Sequence, residues 1–176
     1  MDKNFYSQQT TECSKRKVSF VTLGCKVNQY DTDAMRDLFL KRGYVSVQEG
    51  EADVYVINTC SVTQTGDKKS RQMIRRIHRE HPRAVIAVSG CYAQLAPDEI
   101  KKIDGVGVVV GTQNRARIVD YAEEAMKGRT VNAVSDIMEC REFEELPVDG
   151  HDIDKTRAFM KIQEGCNNYC TFCIIP

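Results

Sequence analysis

The chain has 176 residues, of which 41% are hydrophobic and 28% charged, and its 25 basic and 25 acidic residues cancel. This length suits one domain with its own core and the start of another, and the composition is typical of a globular protein. No apolar run approaches the ~20 residues of a membrane helix, and the N-terminus is too polar for a secretory signal, so a cytoplasmic protein is expected. A net charge of zero excludes nucleic-acid binding through bulk charge alone.

Strands and helices alternate along the chain after a polar leader, residues 1–16, that we expect to be disordered. The leader is followed by predicted strands at 18–22, 53–58, 84–89, 106–110 and 130–134, and by predicted helices at 28–42, 67–80, after Pro97 and at 114–127. Gly43 and Gly128 follow the last residues of two of these helices, as C-terminal glycines often do. The strands are short and rich in valine and isoleucine, which is typical of parallel strands buried on both faces. The pattern therefore predicts an α/β fold with a doubly wound, mostly parallel sheet over residues 17–135.

An acidic stretch follows this predicted domain. Residues 136–154 contain eight acidic residues and one basic residue, Arg141, and they also include Pro147 and Gly150. This composition is typical of a linker. A further strand is predicted at 157–163, within a second domain that begins at 155 and runs to 176.

Eight cysteines are many for a chain without a secretory signal, and they favour metal or redox chemistry over disulfides. Cys25, Cys60 and Cys91 each follow a predicted strand by one to three residues, at separations of 35 and 31 residues. One strand-helix-strand unit takes about 30 residues or more, so the three cysteines should meet at the carboxyl edge of the sheet, where such sheets bind ligands. Gly24 and Gly90 allow the backbone to crowd a ligand there. Any one of these cysteines alone would be interpreted as a core residue, but three matched positions favour a shared site.

A second group of cysteines lies near the end of the chain. Cys166, Cys170 and Cys173 are separated by three and two residues. Three thiols can bind three irons of a cubane and leave the fourth iron open for a substrate or cofactor. Cys13 and Cys140 fit neither group.

The residues around both groups resemble four sequence blocks of the radical S-adenosylmethionine methylthiotransferases. These blocks are Leu23-Gly-Cys-Lys-Val-Asn-Gln-Tyr-Asp-Thr32, Ile57-Asn-Thr-Cys-Ser-Val-Thr63, Ser89-Gly-Cys-Tyr-Ala-Gln94 and Gly165-Cys-Asn-Asn-Tyr-Cys-Thr-Phe-Cys-Ile-Ile-Pro176. The resemblance covers residues 17–176. The residues that follow the first three cysteines are most similar to the branch that modifies threonylcarbamoyladenosine in tRNA. The isopentenyladenosine branch and the ribosomal-protein branch are the alternatives.

The resemblance implies two [4Fe–4S] clusters and S-adenosylmethionine as cofactors. By the resemblance, the first three cysteines hold an auxiliary cluster that delivers a methylated sulfur, and the last three hold the cluster that generates a 5′-deoxyadenosyl radical. The implied reaction is methylthiolation of C2 of threonylcarbamoyladenosine 37 in the tRNA anticodon loop, by a monomer served by an external electron donor. Phe172 is expected either to pack near the adenine of S-adenosylmethionine or to cover the cluster. Because the chain stops three residues after Cys173, at the first strand of the implied β/α barrel, this chain alone is expected to be inactive.

Polar residues near the cysteines allow two interpretations each. Asn28 and Asn58 either donate a hydrogen bond to a cluster sulfur or serve as a turn or helix cap.

The predicted helix 67–80 carries basic residues on one face that either contact tRNA phosphates or simply face solvent: Lys68, Arg71, Arg75 and Arg79.

Two functions without radical chemistry are also compatible with the last cysteines. A zinc or iron–sulfur binding module would use Cys170 and Cys173 as half of a metal site. A thiol redox protein would need the same pair at the start of a helix beside a strand.

Overall fold

A computed structural model describes residues 15–48, 50–61, 64–140, 142–146, 148, 160–173 and 175. The predicted leader, apart from residues 15 and 16, lies outside the described residues, and so does Cys13. The described residues contain no helix long and apolar enough to span a lipid bilayer.

The described strands are β1 (Lys17–Thr22), β2 (Val45–Val47), β3 (Val54–Thr59), β4 (Val85–Gly90), β5 (Val106–Val109) and β6 (Val131–Asn132). The helices are α1 (Lys26–Lys41), α2 (Gln64–Glu80), α3 (Cys91–Leu95), α4 (Pro97–Lys101) and α5 (Ile118–Met126), with a 3₁₀ turn at Arg115–Arg117. The five strands predicted between residues 18 and 134 are thus present, with shifts of one to two residues at their ends. The short elements β2 and α3 were not predicted, since three and five residues carry too little periodicity to be recognised.

The six strands form one parallel sheet in the order β2-β1-β3-β4-β5-β6. The chain moves from β1 outward to β2, then returns to the other side of β1 and continues in one direction to β6. The order therefore reverses between β1 and β3, which makes the carboxyl end of these two strands a topological switch point. The doubly wound parallel sheet predicted from the sequence is confirmed.

The sheet is covered on both faces, because its strands are apolar on both sides. Val54 and Val56 of β3 face a core shared with α1 and α5, while Tyr55 and Ile57 face a second core shared with α2, α3 and α4. Side chains alternate between the two faces of a strand, so one continuous apolar run supplies both cores.

The end of α1 shows how local sequence sets the entry into β2. Gly43 has a φ of +93°, and its N–H donates to the Leu40 carbonyl at 2.9 Å, while the Tyr44 N–H donates to the Phe39 carbonyl at 3.0 Å. This pair of bonds is the Schellman motif, and the edge-to-face contact of Phe39 with Tyr44 at 5.0 Å is its usual hydrophobic contact. The predicted stop of this helix at Gly43 agrees with this geometry.

Two predictions near the end of the chain differ from the structure. Of the predicted strand 157–163, residues 160–163 are described and form no strand, because the described residues offer them no backbone partner; the rest lies outside the described residues. The predicted helix 114–127 is interrupted. Asn114 has a φ of +66°, and the chain makes the 3₁₀ turn before α5 begins at Ile118. The left-handed residue turns the chain so that Arg115 points into the protein, where it is 1% exposed.

The same valine-to-alanine substitution is expected to change the free energy of unfolding much more at the centre of the sheet than at its edge. Val56→Ala on the central strand β3, where Val56 is 0% exposed, is expected to lower the free energy of unfolding by about 2 kcal/mol. Val45→Ala on the edge strand β2, where Val45 is 40% exposed, is the matched control and is expected to change it by less than about 0.5 kcal/mol. Urea denaturation followed by circular dichroism measures both. Equal losses would contradict the assignment of β3 to the centre of the sheet.

Candidate metal centre

Three cysteines stand at the carboxyl ends of three neighbouring strands. Cys60 directly follows Thr59 of β3, Cys91 directly follows Gly90 of β4, and Cys25 comes three residues after β1. Thr59 pairs with Gly90 in register, so the two thiol-bearing residues that follow them leave the sheet side by side. Because β1 is the other neighbour of β3, all three cysteines lie at one edge of the sheet, with Cys25 and Cys60 on either side of the switch point. We call these three residues the sheet-edge triad.

Gly24 lets Cys60 lie directly against the turn that carries Cys25. A Cβ atom added at Gly24 would stand 2.6 Å from the Cys60 Cβ and 2.9 Å from its Sγ, closer than real side chains pack. Gly24 also has a φ of +108°, which disfavours any side chain. The glycine before the first cysteine therefore makes room for the second cysteine.

Gly90 likewise allows close packing, here between the end of β4 and the end of β3. It has a φ of +97°, and an added Cβ would collide with the Asn58 side-chain oxygen and with the backbone carbonyl of Thr59. The backbone just before Cys91 therefore packs against β3 with no space to spare.

Two buried asparagines connect the end of β3 with the residues that follow β1. The Asn28 amide donates to the Leu23 carbonyl at 2.7 Å and to the Thr59 carbonyl at 2.9 Å, and its oxygen accepts from the Cys25 thiol at 3.7 Å. The Asn58 amide donates to the Asn28 carbonyl at 2.8 Å. The N-cap of α1 is Cys25, without a side-chain cap, so neither asparagine caps this helix. Both are cross-links between the turn after β1 and the end of β3, and Asn28 also touches a thiol.

The electrostatics at Cys91 reflect this convergence. Burial raises the pKa of the Cys91 thiol above its ordinary value, and the nearby Cys60 and Cys25 raise it further. Deprotonating three neighbouring thiols is unfavourable because the thiolate charges repel each other, and a bound metal cation would offset that repulsion. Within the described part of the chain, no group of three or more His, Cys, Asp or Glu side chains is arranged to hold a metal ion as it stands. Thiolates that bind a cubane attach to separate irons and stand farther apart than the ligands of one ion.

The last three cysteines lie outside the sheet, and we call them the C-terminal triad. Cys166 is half-buried, whereas Cys170 and Cys173 are exposed. The Cys173 N–H donates to the Cys170 carbonyl at 2.9 Å, which closes a turn between the two. Phe172, between them, is 92% exposed, so its ring covers none of the described domain.

The basic residues of α2 divide into two groups. Lys68, Arg75 and Arg79 are exposed. Arg71 instead lies over the Tyr92 ring at 5.6 Å and donates to the Tyr92 hydroxyl at 2.7 Å. Since Tyr92 follows Cys91, Arg71 fastens α2 to the helix that begins at the third cysteine.

A buried group of charges was not predicted from the sequence. We call it the ion cluster, and its members are Asp31, Arg115, Glu144, Lys161 and Glu164. Its members come from α1, the 3₁₀ turn and the two segments after the sheet. Partners lie as far as 130 residues apart, so no local pattern marks them. The predicted helix from residue 114 would have left Arg115 on a regular helical turn, and the left-handed Asn114 redirects it.

Comparison with known proteins agrees with the cysteine blocks. A family described as "Uncharacterized protein family UPF0004" matches residues 17–111, the segment from β1 through β5 that contains the sheet-edge triad. Over 161 residues the chain is 57% identical to the threonylcarbamoyladenosine tRNA methylthiotransferase MtaB of Bacillus subtilis (strain 168), covering 90% of this chain and 36% of that protein.

Two further relatives extend the comparison. The chain is 42% identical to the MtaB protein of Aquifex aeolicus (strain VF5) over 165 residues, which is 91% of this chain and 39% of that protein. It is 39% identical to the ribosomal protein uS12 methylthiotransferase RimO of Prochlorococcus marinus (strain MIT 9215) over 164 residues, 91% of this chain and 35% of that protein. The chain thus spans a little over a third of the length of these relatives.

The family match covers more than half of the chain and includes all three strand ends that carry the sheet-edge triad. The similarity to the methylthiotransferases extends beyond it, over nine-tenths of the chain. The chain therefore belongs to the UPF0004 family. The resemblance of its cysteine blocks to the methylthiotransferases, and to the threonylcarbamoyladenosine branch in particular, is confirmed by its similarity to the MtaB proteins.

Proposed function

We propose that this chain is the cluster-binding part of a tRNA methylthiotransferase that modifies C2 of threonylcarbamoyladenosine at position 37. The observation that carries the proposal is the sheet-edge triad: three thiols at the ends of adjacent parallel strands, two of them flanking the switch point. The named relatives support the sulfur-group transfer, and the identity of 57% to the Bacillus subtilis MtaB protein, against 39% to the RimO protein, favours the threonylcarbamoyladenosine branch.

The residues at the sheet edge fit an iron–sulfur cluster. Thiolates are the ligands of such clusters, and three of them leave one iron of a cubane available to a further ligand. Gly24 and Gly90 let the turn before Cys25 and the end of β4 pack directly against the end of β3. Asn28, with its amide oxygen at the Cys25 thiol, orients the ligand that sits on a turn instead of directly on a strand.

The C-terminal triad would hold the second [4Fe–4S] cluster and, with it, S-adenosylmethionine. When bound, these cofactors supply the radical and sulfur-transfer chemistry, while the protein binds and orients them. Within this triad, Phe172 has an exposed ring that is free to pack against an adenine. An external donor supplies the electron.

The other partners follow from the same proposal. The exposed Lys68, Arg75 and Arg79 would contact tRNA phosphates beside the anticodon loop, and Arg71 would support that face through Tyr92. All seven cysteines in the described residues are free thiols, which suits the reducing cytoplasm where tRNA is modified. We expect the protein to act as a monomer.

Anaerobic reconstitution with iron and sulfide tests the proposal. The expected result is two cubanes per chain by iron and sulfide analysis, with an electron paramagnetic resonance signal after reduction. Tightly bound zinc without a cubane signal would instead favour a non-catalytic binding module. Threonylcarbamoyladenosine tRNA and isopentenyladenosine tRNA, offered to the full-length enzyme together with ribosomal protein uS12, separate the three branches.

Single cysteine variants should separate the two sites. Cys60→Ala is expected to lower the iron content by about half, because a cubane held by two protein thiolates is lost on gel filtration. Cys170→Ala should remove the other half. Cys140→Ala is the matched control, since Cys140 belongs to neither triad, and should keep full iron content. Full iron content in Cys60→Ala would contradict the assignment of the sheet-edge triad.

A pair of glycine variants tests the crowding beside Cys60. Gly24→Ala is expected to abolish loading of the sheet-edge site, because its Cβ would displace the Cys60 side chain. Gly43→Ala has a similarly positive φ, +93° against +108°, but its Cβ meets nothing within 4 Å. Both variants bear comparable backbone strain, and Gly43→Ala should load normally. Equal loading, measured as iron and sulfide per chain, would show that Cys60 needs no space at Gly24.

The basic face of α2 makes a prediction for tRNA affinity. Lys68→Ala with Arg75→Ala is expected to weaken tRNA binding and to lower the slope of log K against log[salt] by about 1.4, or about 0.7 for each phosphate that the protein no longer neutralises. Lys69→Ala with Arg76→Ala removes the same charge at the same spacing from the neighbouring face and should leave the slope unchanged. Filter binding at several salt concentrations measures both. Identical slopes for the two double variants would contradict a specific contact of the Lys68 and Arg75 face with phosphates, since any loss of positive charge would then have the same effect.

A further inference from the structure

Five charged side chains meet inside the protein at the ion cluster. The side-chain exposures are 1% for Arg115, 4% for Lys161 and 5% for Asp31, with 13% for Glu144 and 15% for Glu164. Two positive charges face three negative ones, so the cluster carries a formal charge of −1 in a largely dry place. Burying so much charge is costly unless every group is paired, and here each one is.

Arg115 is the centre of the cluster. Its Nη1 donates to Asp31 at 2.5 Å, its Nη2 donates to the two carboxylate oxygens of Glu164 at 2.7 and 2.8 Å, and its Nε donates to Glu144 at 3.3 Å. All three nitrogens of the guanidinium group are thus occupied by different carboxylates. Burial acts to lower the pKa of Arg115, but the carboxylates of Asp31, Glu164 and Glu144 outweigh it and raise the pKa above its ordinary value.

Lys161 closes the cluster from the side of the C-terminal segment. Its Nζ donates to Asp31 at 2.8 Å and to Glu164 at 2.8 Å, and it lies over the Phe143 ring at 5.6 Å. Its neighbours Met160 and Ile162 are 84% and 87% exposed. The segment 160–164 is therefore attached to the α/β domain chiefly through Lys161 and Glu164, and not through an apolar core.

Two members of the ion cluster lie close in sequence to the two cysteine triads. Asp31 lies on α1, which begins at the residue after Cys25, and six helical residues advance about 9 Å. Glu164 is two residues before Cys166. A single guanidinium group therefore holds, through two carboxylates, the helix of the first triad and the segment of the second.

We propose that the ion cluster is a positioning device that sets the distance and orientation between the two triads, with Arg115 as its central positioning residue. The proposal rests on the proposed function in so far as the triads carry clusters. Buried ion pairs add little net stability compared with apolar packing, but removing one partner is strongly disruptive. Their directional bonds hold a geometry that a loose apolar contact would not, and a shift of about 1 Å can cost about 100-fold in rate.

Spin labels on the metal-free chain test the positioning without any cluster. Labels on Cys25 and Cys170, with the other cysteines changed to serine, should give one narrow distance distribution by pulsed dipolar spectroscopy. Glu164→Gln and Arg115→Gln should broaden it markedly. Glu142→Gln, an exposed carboxylate in the segment that contributes Glu144, is the matched control and should leave it unchanged. An unchanged distribution in Glu164→Gln overturns the proposal.

Glu164→Gln keeps the test valid if Arg115→Gln fails to fold, because Arg115 then retains Asp31 and Glu144 inside the α/β domain. In the full-length, reconstituted enzyme, Glu164→Gln should lower kcat about 100-fold while the iron content and the KM for S-adenosylmethionine stay unchanged. Absence of cubanes from the unsubstituted protein would overturn the proposed function, yet the label distances would still decide on the positioning. Wild-type kcat in Glu164→Gln would overturn the positioning alone.

Discussion

The parallel pairing of β1, β3 and β4 is the constraint on which the rest of the structure depends. Hydrogen bonds between these strands align their carboxyl ends, and each end is followed within three residues by a cysteine. The helices between them only need the length to return the chain to the start of the next strand. A site assembled in this way is built from residues distant in sequence, yet each of its cysteines lies within three residues of a paired strand.

The convergence of the sheet-edge triad could be predicted because one strand-helix-strand unit has a nearly constant length. The strand order could not be, since apolar periodicity gives the type of an element but not its neighbours. The positions of Cys25 and Cys60 on either side of the switch point therefore could not be predicted from apolar periodicity. The ion cluster was hidden for another reason. Arg115, Asp31 and Glu164 each look like ordinary surface charges, and only the left-handed turn at Asn114 brings them together.

The two triads are supported by different physical means. Cys60 and Cys91 extend from central strands whose side chains are 0% exposed at several positions, so their placement depends on apolar packing. Cys170 and Cys173 lie on an exposed turn, and the segment before them is attached through ionic contacts. Apolar packing gives stability without direction, whereas ion pairs give direction with little stability. Apolar packing thus supports the sheet-edge triad, and ionic contacts position the segment that carries the C-terminal triad.

The buried polar residues at the end of β3 have a consequence for how faithfully this sheet assembles. Strands that are apolar on both faces tolerate a slip of one residue, because the slipped strand still buries apolar side chains on each side. In this sheet a slip would pull Asn58 from the carbonyl of Asn28 and Thr59 from the carbonyl of Ser89, leaving polar groups unpaired in the interior. These hydrogen bonds therefore favour the one register in which Thr59 pairs with Gly90, and in that register Cys60 and Cys91 follow paired residues of adjacent strands.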